Sequence, residues 1–124
     1  MARPQSPPLR ILIVDENVDA ARTLGLLCEQ MGHDCKYAYD GIAALEAARR
    51  LRPDVILLDI GLPGMDGFEV ARQLRAEADF RDVLIIAVTG FASDEDRQRS
   101  REVGIDHYLV KPADPAFIES LLGR

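Results

Sequence analysis

Short runs of branched apolar residues alternate along this chain with longer stretches in which apolar side chains recur at helical spacing. Ile11-Leu12-Ile13-Val14, Val55-Ile56-Leu57-Leu58, Leu84-Ile85-Ile86-Ala87-Val88 and Tyr108-Leu109-Val110 are too short for helices and too uniformly apolar for half-wet strands. They predict strands over about 9–14, 54–59, 83–88 and 107–110, with another short strand from Cys35 to Tyr39. A first helix is expected over 18–31, with Ala21, Leu24, Leu27, Cys28 and Met31 inward and Gly32 as its stop. Asp40 caps a second, whose buried face is Ala43, Ala44, Leu45, Ala47, Ala48 and Leu51 and which Pro53 closes. A third starts near Gly67 and runs through Val70, Leu74 and Arg75, with Asp66 in the turn before it. Ser93 or Asp94 caps a polar fourth that ends at Gly104. Asp114 as N-cap and Pro115 at the first helical position open a fifth, with Phe117, Ile118, Leu121 and Leu122 turned inward.

Strands alternating with helices through short loops imply an α/β domain: a parallel sheet covered on both faces, wound with right-handed crossovers. Residues 1–8, with Pro4, Pro7 and Pro8, read as a flexible lead or linker, and 9–124 as one domain without internal repeats. A chain of 124 residues buries enough surface to fold without staples. Its formal net charge of −6 excludes a general nucleic-acid surface. No apolar run approaches the ~18 residues of a membrane span, and the N-terminus has no apolar signal-peptide core. Cys28 and Cys35 lack metal or CxxC spacing. They read as buried reduced thiols, with a disulfide or redox role as the second reading. A cytoplasmic location is the expectation.

The strand ends change the picture. Asp15-Glu16 follow the first strand. Asp59 ends the third, before the turn Ile60-Gly61-Leu62-Pro63-Gly64-Met65-Asp66-Gly67. Thr89-Gly90 end the fourth and Lys111-Pro112 the last. Open parallel sheets keep their chemistry at the carboxyl ends of their strands, so these groups are expected at one edge. Three acids together repel unless a cation joins them. A hard divalent ion with oxygen ligands suits them, Mg²⁺ being the usual one beside a phosphate. With Lys111 added, such a pocket is formally neutral and ready for a phosphoryl group. A carboxylate is a nucleophile that needs no general base at neutral pH, and the remaining work is neutralising phosphoryl oxygens.

Asp15-Glu16, Asp59-x-x-x-Pro63-x-Met65-Asp66-Gly67, Thr89-Gly90 and Lys111-Pro112, in this order and spacing, resemble the receiver domains of two-component response regulators over about Leu9 to Leu122. The resemblance implies a flavodoxin-like (βα)5 fold with strand order 2-1-3-4-5 and a cis Lys111-Pro112 bond. It implies Asp59 as phosphoacceptor, with Glu16, Asp15 (partly through water), Asp59 and the Gly61 carbonyl holding Mg²⁺. Thr89 and Lys111 would contact the phosphoryl group. Tyr108 would be an aromatic switch that turns inward as Thr89 moves. The phosphodonor would be a phosphohistidine of a sensor histidine kinase or histidine phosphotransfer protein, docking at Asn17, Ala20 and Pro112. The response would be a shift of the face made by the fourth helix, last strand and last helix, in a monomer or weak dimer. The Thr89-Gly90-Phe91 and Asp106–Pro115 segments look like receivers attached to hybrid kinases.

Glu16 stands where many members have Asp. Gly61 and Phe91 offer no side-chain group to orient attacking water, so slow self-dephosphorylation is expected, with Phe91 shielding. Two other classes compete. An Asp-nucleophile phosphohydrolase of the haloacid-dehalogenase type wants a second Asp where Gly61 stands. A non-phosphorylated interaction module is marked by loss of an acid, the Thr or the Lys, and none is lost. Taken singly, Asp15-Glu16 is a helix-dipole acid pair and Lys111 a solvated charge. His33 and His107 read as surface residues, and Asp94, Glu95, Asp96, Arg97 and Arg99 as a solvated helix face.

Overall fold

The structure, a computed structural model, describes residues 7–90 and 93–123. The expected lead over 1–8 lies outside them except for the exposed Pro7 and Pro8, and so does Phe91. In chain order the elements are β1 (Arg10–Val14), α1 (Val18–Gln30), β2 (Asp34–Ala38), α2 (Gly41–Leu51), β3 (Val55–Leu58), α3 (Gly67–Arg75), β4 (Leu84–Thr89), α4 (Asp94–Glu102), β5 (His107–Val110) and α5 (Pro115–Gly123). A 3-10 turn at Ala78–Phe80, which has too few residues to show a period, precedes β4. The sheet has the order β2-β1-β3-β4-β5, with every neighbouring pair parallel. This is the flavodoxin-like arrangement that the resemblance implies.

The two-residue alternation of a strand divides the core into two layers. Leu12, Val14, Ile56, Leu58, Ile85 and Ala87 face α2 and α3, where Leu45, Ala48, Phe68, Val70 and Leu74 meet them. Ile11, Ile13, Val55, Leu57, Ile86 and Val88 face α1 and α5 and pack on Ala21, Cys28, Ile118 and Leu122. Both faces of β1 and β3 are therefore dry, which is why those strands read as unbroken apolar runs rather than alternations. Each fully buried Leu, Ile or Val contributes about 1.5–3 kcal/mol.

Local chemistry sets the helix starts. Asp40, Asp66 and Ser93 accept the backbone N–H groups of Ala43, Glu69 and Asp96 at 2.7, 3.0 and 3.0 Å. Asn17 does the same for α1 through Ala20 N–H, at 3.0 Å. Asp114 accepts from Ala116 N–H at 3.0 Å at the head of α5. Helix α4 is held most lightly, with Ser100 its only buried residue.

Two expectations need correction. Phe117 is exposed, at 47%, because α5 lays only Ile118 and Leu122 fully on the sheet; Leu121 is half-buried. His33 is half-buried rather than exposed: its Nδ1 accepts the Leu9 N–H at 3.0 Å and so ties the α1–β2 turn to the start of the first strand.

Candidate functional site

The backbone ladder carries three of the expected groups one residue past their strands. Asp15 N–H donates to Ala38 O (3.1 Å), Asp59 N–H to Val14 O (2.9 Å) and Lys111 N–H to Thr89 O (2.7 Å). Thr89 is the last residue of β4 and pairs with Val110. Parallel register thus fixes where these side chains begin, and all arise at the same edge of the sheet. The Lys111-Pro112 bond is cis, as expected.

Lys111 Nζ lies 2.6 Å from Asp15 Oδ2 and 3.2 Å from Asp59 Oδ2. The other oxygen of each acid is pinned by a backbone N–H two residues on. Asp15 Oδ1 accepts from Asn17 at 2.9 Å, and Asp59 Oδ1 from Gly61 at 3.0 Å. These are Asx turns, and the Asp-x-Asn and Asp-x-Gly spacings were the signal for them in the sequence. Both carboxylates are therefore aimed before any ligand arrives. Asp15 is 6% exposed and Thr89 7%. Close packing holds the Asp59 turn as well: a Cβ on Gly67 would sit 2.6 Å from the Asp59 carbonyl oxygen and 2.8 Å from Ile60 Cα.

Burial pulls the Lys111 ammonium toward its neutral form. The hydrogen bond to Asp15 and the charges of Asp59 and Asp15 outweigh it, so its pKa stands above the ordinary 10.5. A base whose folded pKa is raised stabilises the fold fully below its unfolded pKa and loses that contribution as pH climbs through the folded value. Denaturant midpoints of the wild type and Lys111→Met should therefore differ at neutral pH and converge above pH 10.5. A gap that stays constant across that alkaline range would contradict this.

Glu16 stands exposed. Among the described residues no three His, Cys, Asp or Glu side chains gather closely enough to hold an ion. Asp15 and Asp59 alone are joined, through Lys111. That donor set still suits Mg²⁺, which takes one or two carboxylates, keeps several waters and shares phosphate oxygens rather than demanding a protein cage.

A cavity of about 520 Å³ runs from Asp15, Asp59 and Lys111 down between α1 and the sheet, past Ala20, Leu24 and Pro112. Pro112, which lines it, is exposed and Ala20 half-buried; Asn17, the N-cap of α1, is exposed. Tyr108 is half-buried on β5, with the Arg97 guanidinium of α4 5.2 Å from its ring centroid. Burial and the charge of Asp96, opposed by Arg97, raise its phenol pKa.

The model of the response regulator receiver domain matches residues 11–122. The chain belongs to that family. The receiver domain is 37% identical over 115 residues to the polar-differentiation response regulator DivK of Brucella anthropi, covering 92% of this chain and 94% of DivK. Among solved structures it resembles the chemotaxis protein CheY4 of Vibrio cholerae, with a TM-score of 0.88 and 30% identity over 95% of this chain and 98% of that one. It also resembles the receiver domain of the sensor histidine kinase PA1611 from Pseudomonas aeruginosa, with a TM-score of 0.86 and 34% identity over 95% and 97% of the two chains. That structure carries a magnesium ion coordinated in its active site cleft. Receiver domains work with histidine kinases or phosphotransfer proteins in two-component signalling. Among the described residues of this one, no helix is long and apolar enough to cross a membrane.

Proposed function

We propose that this receiver domain, spanning 9–124 behind a lead at 1–8, is a cytoplasmic phosphoryl-accepting switch with Asp59 as phosphoacceptor. One observation carries the reading. The Asp59 carboxylate is held 3.2 Å from an ammonium that a second, buried carboxylate anchors at 2.6 Å. A structural ion pair needs one acid. A second acid leaves the pocket negative, which favours a cation, while the lysine remains for a phosphoryl oxygen.

An oxygen of Asp59 attacks phosphorus as the P–N bond of the donor phosphohistidine breaks, giving an aspartyl phosphate and a free imidazole. Gly61 N–H keeps the Asp59 carboxylate oriented, so little rearrangement is needed at the moment of transfer. Lys111 swings its point charge from Asp59 to an equatorial phosphoryl oxygen. Thr89 supplies a hydroxyl hydrogen bond to another. Asp15, with Asp59, the Gly61 carbonyl and Glu16 at the rim, would hold Mg²⁺, which when bound neutralises phosphoryl charge. Thr89 moving toward the phosphoryl group draws Tyr108 inward, and the lightly held α4 lets the α4–β5–α5 face shift between two arrangements. Asn17, Ala20 and Pro112 meet the histidine kinase or histidine phosphotransfer protein that brings the phosphohistidine. The chain works as a monomer or weak dimer, and with Gly61 offering no group to activate water it loses its phosphoryl group slowly.

Incubation with acetyl phosphate and Mg²⁺ followed by intact-mass measurement should add one phosphoryl group, and Asp59→Asn should abolish the addition. No modification with any donor would leave an interaction module in its place. Multiple turnover of a phosphate ester would point to the hydrolase chemistry that Gly61 argues against.

A further inference from the structure

At the sheet edge opposite the acids, α1 and β2 bring the chain's two cysteines together. Cys35 is paired with Ile11 near the start of β1, and Cys28 sits in the last turn of α1. The Cys35 thiol donates to the Gly25 carbonyl at 3.6 Å. Gly25 lies three residues before Cys28 on the same helix, and a helical side chain leans toward the turn before it. Cys28 Sγ is thereby placed beside Cys35 Sγ, near enough for each side chain to perturb the titration of the other. Both residues belong to the core layer under α1, with Cys28 fully buried and Cys35 8% exposed. Cys35 also lines an open cavity of about 580 Å³ with His33, Glu29, Arg10 and Lys36, wide enough to admit a small oxidant.

We infer that Cys28 and Cys35 form an oxidisable dithiol that peroxide converts to an intramolecular disulfide between α1 and β2. The two thiols titrate as a pair. The neighbouring Cys35 side chain lowers the Cys28 pKa against the opposing pull of burial and Glu29, while Cys28 and burial push Cys35 up. The pair therefore gives up a first proton more readily than an isolated buried thiol and keeps the second. A thiolate attacks one oxygen of hydrogen peroxide, the O–O bond breaks, and a sulfenic acid and water result. The neighbouring sulfur displaces the sulfenic hydroxyl as a second water. Two thiols and one peroxide thus give one disulfide and two waters. Closing the bond bolts the end of α1 to β2 and leaves the acid pocket chemically untouched, so this reaction does not depend on phosphorylation.

The test exposes the full native chain to millimolar hydrogen peroxide beside glutathione as an internal reference, then measures intact mass and maps peptides. The expected product has lost two hydrogens, carries a crosslink between the peptides of Cys28 and Cys35, and returns to its starting mass with dithiothreitol. Cys28→Ser and Cys35→Ser should each abolish the two-hydrogen loss. Cys28→Ala and Cys35→Ala serve where serine in the apolar layer prevents folding, and the native map decides by itself. Oxygen addition at Cys35 without a crosslink, disulfide-linked dimers, or an unchanged chain while glutathione is consumed would each overturn the inference.

Discussion

Arg75→Met should lower the stability of the receiver domain by about 2–4 kcal/mol, the scale of stranding two or three partly buried hydrogen-bonded carbonyls, with little added by Asp106, whose side chain is 41% exposed. Arg75 ends α3, and its side chain is only 18% exposed. Its Nε donates to Gly104 O at 2.9 Å. Its Nη1 donates to Phe80 O at 2.6 Å, Val83 O at 2.8 Å and Arg81 O at 3.2 Å. Its Nη2 meets Asp106 Oδ2 at 2.9 Å, and that same oxygen accepts the Ile85 N–H of β4. One guanidinium therefore ties the 3-10 turn and the loops before β4 and β5 to α3. Methionine fills much of the volume but strands several carbonyls and leaves Asp106 without its cation. Lysine restores the charge as a single point and should recover only part of the loss. Since whole domains are stable by about 5–15 kcal/mol, the change should move a urea midpoint far outside error. A shift under about 1 kcal/mol, the scale of an exposed pair, would show the network to be ornamental.

Nothing in the sequence around Arg75 announces that role, and the reason is physical. Strand positions were legible because a doubly covered sheet demands runs such as Ile11–Val14 and Val55–Leu58. Helix starts were legible because Asp40, Ser93 and Asp114 satisfy donors a few residues away. Arg75 bonds to carbonyls, which every residue owns, so its partners leave no pattern. The Leu9–His33 contact escapes similarly, because its donor is a backbone N–H, and the Ala78–Phe80 turn because three residues show no period. Phe117 misled because an apolar residue at the right helical spacing need not be on the covered side when α5 is a single edge helix. At the site, strand-end position and residue type placed Asp15, Asp59, Thr89 and Lys111 together. The exposure of Glu16 depended on the path of the chain after β1, which local sequence does not encode.

Lys111→Met should slow phosphorylation of Asp59 by acetyl phosphate by about 10²–10³-fold, the usual cost of deleting one preorganised donor to developing negative charge. Among the described residues the substitution removes the only ammonium that touches both acids, so the phosphoryl group would approach two carboxylates with one positive charge fewer. Because Lys111 is about one-third exposed, water screens part of the pair, and the stability loss should be smaller than for Arg75→Met. The two readouts separate the roles: a purely structural lysine would lower the urea midpoint and leave the labelling rate of the folded chain intact. Asp15→Asn in the Lys111→Met background then tests the coupling. Asp15 and Lys111 share one contact at 2.6 Å, so their effects on labelling should fall short of additive. Fully additive losses, or labelling of Lys111→Met within about threefold of wild type, well short of the donor effect, would remove Lys111 from the transfer chemistry and leave it as a clamp on Asp15.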